Sequence, residues 1–282
     1  MAELVHDPAV MRERVLAARA AGRRVGFVPT MGALHAGHVS LVEQAAADCD
    51  DVAVSIFVNP TQFGPQEDFD RYPRTLAADC RLLEPHRVGW IFAPEVAAVY
   101  PPDDATEVVV HGPAEPFEGV VRPGHFAGVA TVVLKLVQMV PAQAAYFGAK
   151  DWQQTRVVRQ MVRDLAVPIE IVVCPTIREP DGLALSSRNA YLSAADRSRA
   201  VALAAALSRA AELWQASAAI DAIEAVMRET MEHQGIAVDY AAVVDAESLV
   251  PAAAAPAVAL VAGRLGTTRL IDNRLLPART VR

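Results

Sequence analysis

Apolar and polar positions along the chain fall into two periods. Residues 24–28 and 51–58, the latter reading Asp-Val-Ala-Val-Ser-Ile-Phe-Val, are short and almost continuously apolar, and they predict buried strands. Residues 88–93, 144–147 and 169–174 read the same way. Between these runs the pattern predicts helices over residues 8–21, 38–48, 75–86, 129–140 and 152–165. Asp7-Pro8 offers an N-cap followed by proline at the first helical position, and Gly22 closes that helix. Strand and helix alternating in this way predict an α/β fold, a Rossmann-like parallel sheet with helices on both faces. Such sheets bind ligands outside the carboxyl ends of their strands. The loops that begin at Pro29, Asn59 and Gly148 all follow strands, so they are expected along one edge.

The pattern changes after about residue 176. Two alanine-rich helical stretches, residues 194–215 and 218–234, precede strand-like runs at 237–244, 257–262 and 268–272. These predict a smaller C-terminal α+β domain. The expected division is 1–176 and 177–282, in keeping with a length of 282 residues.

Charge narrows the function. Lys and Arg number 26 against 33 Asp and Glu, a net charge of −7, which argues against a nucleic-acid partner. An acidic protein can still hold a local positive site for small anions. The longest apolar stretch, residues 249–263, is too short to span a bilayer and is interrupted by Pro251 and Pro256, so no membrane span is expected. Glu3 and Asp7 near the start predict no secretory leader. Cys49, Cys80 and Cys174 lie far apart with no Cys-x-x-Cys pair, which suits packed free thiols in a reducing cytoplasm.

Four loops carry candidate chemistry. In Pro29-Thr-Met31-Gly32-Ala-Leu-His35-Ala-Gly-His38, a glycine-bearing loop leaves a strand and enters a helix. His35 and His38, three apart, can share a face at the helix N-terminus, where free N–H groups favour phosphate; the plainer reading is two solvated loop histidines. In Asn59-Pro-Thr-Gln62, two neutral amides follow a strand and suit a polyhydroxy acid, while Asn-Pro is equally a turn starter. In Gly148-Ala149-Lys150-Asp151-Trp-Gln-Gln154, Lys150 suits a phosphate, and Asp151 either caps a helix or binds ribose hydroxyls. Thr176-Ile177-Arg178 through Leu185-Ser186-Ser187-Arg188-Asn189 is rich in hydroxyl and guanidinium donors, or is simply a polar loop. Neither Gly-x-x-x-x-Gly-Lys-Ser/Thr nor Gly-x-Gly-x-x-Gly occurs, so no dinucleotide cofactor is supported.

The His-x-Gly-His turn resembles that of the HxGH nucleotidyltransferases. All four stretches together, PTMGALHAGHVSLV, FVNPTQFGPQEDFDRYPRT, FGAKDWQQ and LSSRN, are similar in order and spacing to the pantoate–β-alanine ligases, over residues 25–192. The resemblance implies an ATP-dependent condensation of pantoate with β-alanine through a pantoyl adenylate, with Mg²⁺, in a cytoplasmic homodimer. It implies that residues 31–38 line the ATP site, His38 being the catalytic histidine with His35 beside it. Gly148, Ala149, Lys150, Asp151 and Ile177 would contact ATP, and Leu185, Ser186, Ser187 and Arg188 would form a mobile phosphate loop. Gln62 and Gln154 would bind pantoate, with Asn59 near them and Arg122 by the entrance. The protein ligands of Mg²⁺ are left open, Asp79 being one possibility. Leu185 and Ala149 depart from the family's commonest residues, methionine and a polar side chain, and neither change removes a phosphate ligand. The competing readings are a plain nucleotidyltransferase, an aminoacyl-tRNA synthetase and a non-catalytic nucleotide sensor.

Overall fold

The computed structural model describes residues 2–64, 69–252 and 256–277. Residues 65–68, within the second motif, lie outside the described residues. By its backbone contacts the chain divides into one compact unit of Met1–Ala149 with Val157–Pro175 and a second of Lys150–Arg156 with Thr176–Arg282.

The first unit is built on a six-stranded sheet. Its elements run β1 (Glu3–Val5), α1 (Pro8–Ala20), β2 (Val25–Thr30), α2 (Ala36–Asp48), β3 (Asp51–Ile56), α3 (Leu76–Leu83), β4 (Trp90–Phe92), short helices α4 (Val96–Val99) and α5 (Glu118–Val121), α6 (His125–Met139), β5 (Ala144–Gly148), the start of helix α7 (Trp152–Asp164) being shared with the second unit, and β6 (Glu170–Cys174). The strand order is β1-β4-β3-β2-β5-β6, and every pair is parallel. The chain leaves β2 toward β3 and β4, then returns to β5 on the other side, so the order reverses between β2 and β5. That reversal is where a doubly wound sheet opens a crevice for ligands.

The sheet is covered on both faces, which is why its strands read as continuous apolar runs rather than alternating ones. Val25, Phe27, Ala53, Phe92, Ala145 and Phe147 join residues of α1, α6 and α7 in one cluster, while Val28, Val54, Ile91 and Tyr146 join α2 and Leu83 of α3 in another.

Several boundaries differ from those the pattern predicts. β1 was not foreseen: three residues carry too little periodicity, and only the pairing with β4 makes them a strand. β2 runs through Pro29 to Thr30, two residues past the expected end, because only Gly26 and Phe27 pair with β5 and the missing N–H of Pro29 therefore breaks no ladder there. α6 starts at His125 rather than 129, after Gly124 at φ 82°.

In the second unit, α8 (Ala194–Ala200), α9 (Ala202–Gln215) and α10 (Ile220–Glu232) accompany an antiparallel sheet of β7 (Ala237–Asp245), β8 (Ala257–Leu265) and β9 (Thr268–Leu276), ordered β7-β8-β9. Leu203, Leu207, Trp214, Ile223, Met227 and Met231 of the helices pack with Val243, Val261 and Leu270 of the sheet. The expected single helix over 194–215 is two helices parted at Val201. All three strands run further than expected, β9 by four residues, because Asp272 and Asn273 look like a polar strand end but are buried inside the strand.

Candidate active site

In the first unit, residues 31–34 leave β2 and His35 caps α2. Gly32 and Ala33 both sit at positive φ, 81° and 50°. Glycine is suited to this, and a Cβ at position 32 would lie 3.0 Å from Ile56 and 3.1 Å from Asp79; Ala33 accepts a strained conformation. Asp79 of α3 holds that shape. Its Oδ2 accepts from the Ala33 N–H at 3.1 Å and its Oδ1 from the Leu34 N–H at 2.9 Å, and Thr75 Oγ1 donates to both oxygens at 3.2–3.3 Å. Asp79 is only 2% exposed.

The two histidines are coupled. His35 Nδ1 accepts from the Gly37 N–H at 3.1 Å, and His38 Nδ1 accepts from the His35 N–H at 3.3 Å, with ring centroids 4.2 Å apart. An imidazole that accepts at Nδ1 carries its proton on Nε2. Both neutral rings therefore present an Nε2–H donor at the positive end of α2. A phosphate can use such donors, and the same two contacts form the capping box of α2.

Beyond β3, the amides of Asn59 and Gln62 have different fates. Asn59 is 1% exposed and fully engaged: Oδ1 accepts from Thr61 N (3.2 Å) and Thr61 Oγ1 (3.0 Å), and Nδ2 lies 3.2 Å from both Gln62 Oε1 and Gly128 O. It makes the turn and holds Gln62, so any effect on a ligand passes through Gln62. Gln62 Nε2 lies 2.8 Å from Met31 Sδ, which joins this turn to the loop after β2. The Gln62 carbonyl accepts from His125 Nδ1 at 2.8 Å and Arg122 Nη2 at 3.3 Å. Since a guanidinium only donates, the 3.0 Å contact of Arg122 Nη1 with His125 Nε2 makes Nε2 the acceptor and Nδ1–H the donor to Gln62. Gly128 of α6 completes the seat: a Cβ there would stand 2.4 Å from the Thr61 carbonyl oxygen. Gly148, the last residue of β5, has open space where a Cβ would be.

The second unit holds the remaining candidates in two groups. Lys150 Nζ lies 3.7 Å from Asp151 Oδ1. The first turn of α7 is fastened by Trp152 Nε1–H donating to Ala246 O at 2.9 Å and by Arg156 ion-paired with Glu247 at 2.6 Å, with the Arg156 guanidinium over the Trp152 ring. Gln154 is half-buried in that turn. The second group hangs on a tight hairpin, where Glu179 N–H donates to Leu183 O (2.8 Å) and Leu185 N–H to Ile177 O (3.0 Å). It delivers Ser186, whose Oγ accepts from the Arg188 N–H at 3.3 Å as it caps a 3₁₀ turn of Ser187–Tyr191. Ile177, Leu185, Ser186, Ser187 and Arg188 are thus one structural piece.

Sequence reasoning missed the parts that hold the candidates. Asp79 as a loop clamp, His125, Gly128, Asp272 and Asn273 were not read in those roles. The Thr75–Asp79 pair four residues apart, and a glycine inside a strongly apolar helix, were the available signals.

The chain matches the family model of pantoate–β-alanine ligase over residues 3–275. A pantothenate synthetase of Roseiflexus castenholzii is 51% identical over 267 residues, covering 93% of this chain and 96% of that one. The crystal structure of pantothenate synthetase from Thermus thermophilus superposes with a TM-score of 0.91 at 47% identity, covering 98% of this chain and 100% of that one. A pantoate–β-alanine ligase from Francisella tularensis, complexed with β,γ-ATP and β-alanine, gives 0.80 at 33% identity, with 98% of each chain covered. With a family match across nearly its whole length and relatives at about half identity, this chain belongs to the pantoate–β-alanine ligases.

Proposed function

We propose that this chain condenses pantoate with β-alanine, using ATP and releasing AMP and pyrophosphate by way of pantoyl adenylate. The observation that carries the reading is the junction of Met31 and Gln62 at 2.8 Å, which sets a phosphate-type donor group beside a neutral amide group. The ATP and β-alanine bound by the Francisella relative support it.

In the first step a pantoate carboxylate oxygen attacks the α-phosphorus; the bond to the β-phosphate oxygen breaks and pyrophosphate leaves. Most of the catalysis is positioning and stabilisation of charge. His38 and His35 donate through Nε2–H to phosphate oxygens, with Met31, Gly32, Gly148 and Ala149 lining the nucleotide. Lys150 and the loop of Leu185, Ser186, Ser187 and Arg188 are assigned to the triphosphate, Asp151 to ribose and Ile177 to the base. Gln62 and Gln154 bind pantoate, Asn59 acting through Gln62. In the second step the neutral β-alanine amine attacks the activated carbonyl, AMP leaves, and the ammonium proton passes to solvent. No covalent enzyme intermediate is needed.

Among the described residues no three His, Cys, Asp or Glu side chains could hold a metal ion together, and both Asp79 oxygens are engaged in the loop. Magnesium ordinarily reaches a nucleotide through its phosphates and waters with few protein ligands, so the ion is assigned to the nucleotide substrate, and no step runs through it. We assign nucleotide and pantoate binding to residues 1–176 and a lid role to 177–282, with Lys150–Arg156 grouped with the latter. A cytoplasmic homodimer is part of the same proposal; light scattering at the monomer mass would refute the dimer, and recovery in a membrane or secreted fraction would refute the location. No helix among the described residues is long and apolar enough to cross a membrane.

The test is AMP and pyrophosphate release with each substrate omitted in turn. AMP release is expected only with pantoate and β-alanine together, and His38→Ala is expected to lower kcat by about 10²–10³. Pyrophosphate release without pantoate would turn the assignment to a plain nucleotidyltransferase, and ATP binding without turnover to a sensor.

A further inference from the structure

We propose that Asp272 and Asn273, neighbours in β9, are positioning residues for ATP activation, one fixing the Ser-Ser-Arg segment and the other fixing Lys150. The inference rests on the ligase reading and adds residues to its ATP-binding machinery.

Adjacent strand residues point to opposite faces. Leu270 and Leu276, of the same parity as Asp272, lie in the second unit's core, so Asp272 faces the helices and Asn273 faces the other way. Asp272 has a side chain only 1% exposed. Its carboxylate receives the Arg178 guanidinium as a two-pronged fork, Nη1 to Oδ2 at 2.7 Å and Nη2 to Oδ1 at 3.0 Å. The same guanidinium donates to Gly182 O at 3.0 Å and Asn273 O at 3.1 Å. Arg178 and Gly182 are the two sides of the hairpin that delivers Leu185 and Ser186, and Arg178 pairs with Ala184 across it. One carboxylate therefore sets where that hairpin stands on the sheet. On the opposite face, Asn273 Nδ2 donates to the Lys150 carbonyl at 2.6 Å, fixing the backbone from which the Lys150 side chain departs.

Packing alone does not account for these residues. A buried ion pair is costly to desolvate and is often matched or bettered by apolar side chains of similar volume. Its distinguishing property is directional: a guanidinium–carboxylate fork fixes both position and orientation. Here the direction is toward the two segments assigned to the triphosphate, and misplacement of about 1 Å in such a segment can cost 10²-fold in rate.

The experiment compares Asp272→Asn and Asn273→Ala with the wild-type full chain in two assays: pantoate-dependent exchange of labelled pyrophosphate into ATP, and transfer of synthetic pantoyl adenylate to β-alanine. Each variant is expected to raise the KM for ATP, or lower the exchange rate, about ten- to hundred-fold. The KM for pantoate should stay within about twofold, and the transfer rate at saturating pantoyl adenylate should fall by much less than the exchange rate, since no triphosphate takes part in that step. Equal loss in both assays with unchanged KM for ATP means a smaller folded fraction and overturns the proposal. Should Asp272→Asn not fold, Arg178→Lys keeps the charge but removes the fork, and an unchanged KM for ATP together with an unchanged exchange rate in that variant overturns it equally. Wild-type exchange that does not depend on pantoate overturns the ligase reading itself, and the positioning proposal with it.

Discussion

Replacing Gly128 by alanine separates the stability of the first unit from its use of pantoate. The added methyl would stand 2.4 Å from Thr61 O, 2.6 Å from Thr61 C and 2.9 Å from Gln62 Cα. All three are atoms of the main chain, so no side-chain rotation relieves the contact. To regain ordinary carbon–oxygen separation the Asn59–Gln62 turn must withdraw by about 1 Å. Overpacking of this kind costs about 1–3 kcal/mol, while alanine for glycine inside a helix returns about 1 kcal/mol. The net loss of stability is therefore about 0–2 kcal/mol. The same 1 Å, delivered to the residue proposed to hold pantoate, is expected to cost about 10²-fold in kcat/KM for pantoate. It also pulls Gln62 from Met31 and His125, and Asn59 from the Gly128 carbonyl. The assay is pyrophosphate release against pantoate concentration, with a thermal melt of the same sample. A variant that melts within a few degrees of wild type and keeps its kcat/KM for pantoate would show that the turn can yield without disturbing the site, and the reasoning would fail.

Two further outcomes are expected. Asp79→Ala leaves the Ala33 and Leu34 N–H groups and the Thr75 hydroxyl without their acceptor; it should cost about 3 kcal/mol in chemical denaturation and raise the KM for ATP, and an unchanged KM for ATP would show that the loop keeps its shape without the clamp. Burial, reinforced by the nearby Asp48 charge, pushes the Cys174 thiol up to about 11. A raised thiol is protonated at pH 8 and forms thiolate only above that value, so in the native protein Cys174 should alkylate far more slowly than a free thiol at pH 8, and rapid labelling there would contradict the burial argument.

The α/β alternation was legible because both faces of the sheet are covered, leaving β2, β3 and β5 with almost unbroken apolar runs. The candidate residues were legible because their chemistry is distinctive: histidines three apart at a helix start, amides after a strand, a lysine after a glycine. What escaped was whatever works through tertiary contact. Nothing local distinguishes Asp79 as the anchor of Ala33 and Leu34, 46 and 45 positions earlier. Glycine at 128 lowers helix propensity, so periodicity delayed α6, yet the glycine is there to admit the Thr61 carbonyl. Asp272 and Asn273 shortened the reading of β9 for a related reason. Polar side chains within a strand predict its end unless partners elsewhere in the sequence bury them, and Arg178 and Lys150 are 94 and 123 positions away.

The second unit is not one continuous stretch of chain. Lys150–Arg156 is bracketed on both sides by sequence of the first unit, and it meets the rest of the second unit through Trp152 with Ala246, Arg156 with Glu247 and Lys150 with Asn273. Expressing residues 177–282 alone would strip Ala246, Glu247 and Asn273 of these partners at once. A chimera spliced at 176 between two relatives would set one parent's β9 against the other parent's Lys150 loop. Recombination here has to move two separated pieces together, so the C-terminal part is inherited with a seven-residue passenger from the middle of the chain.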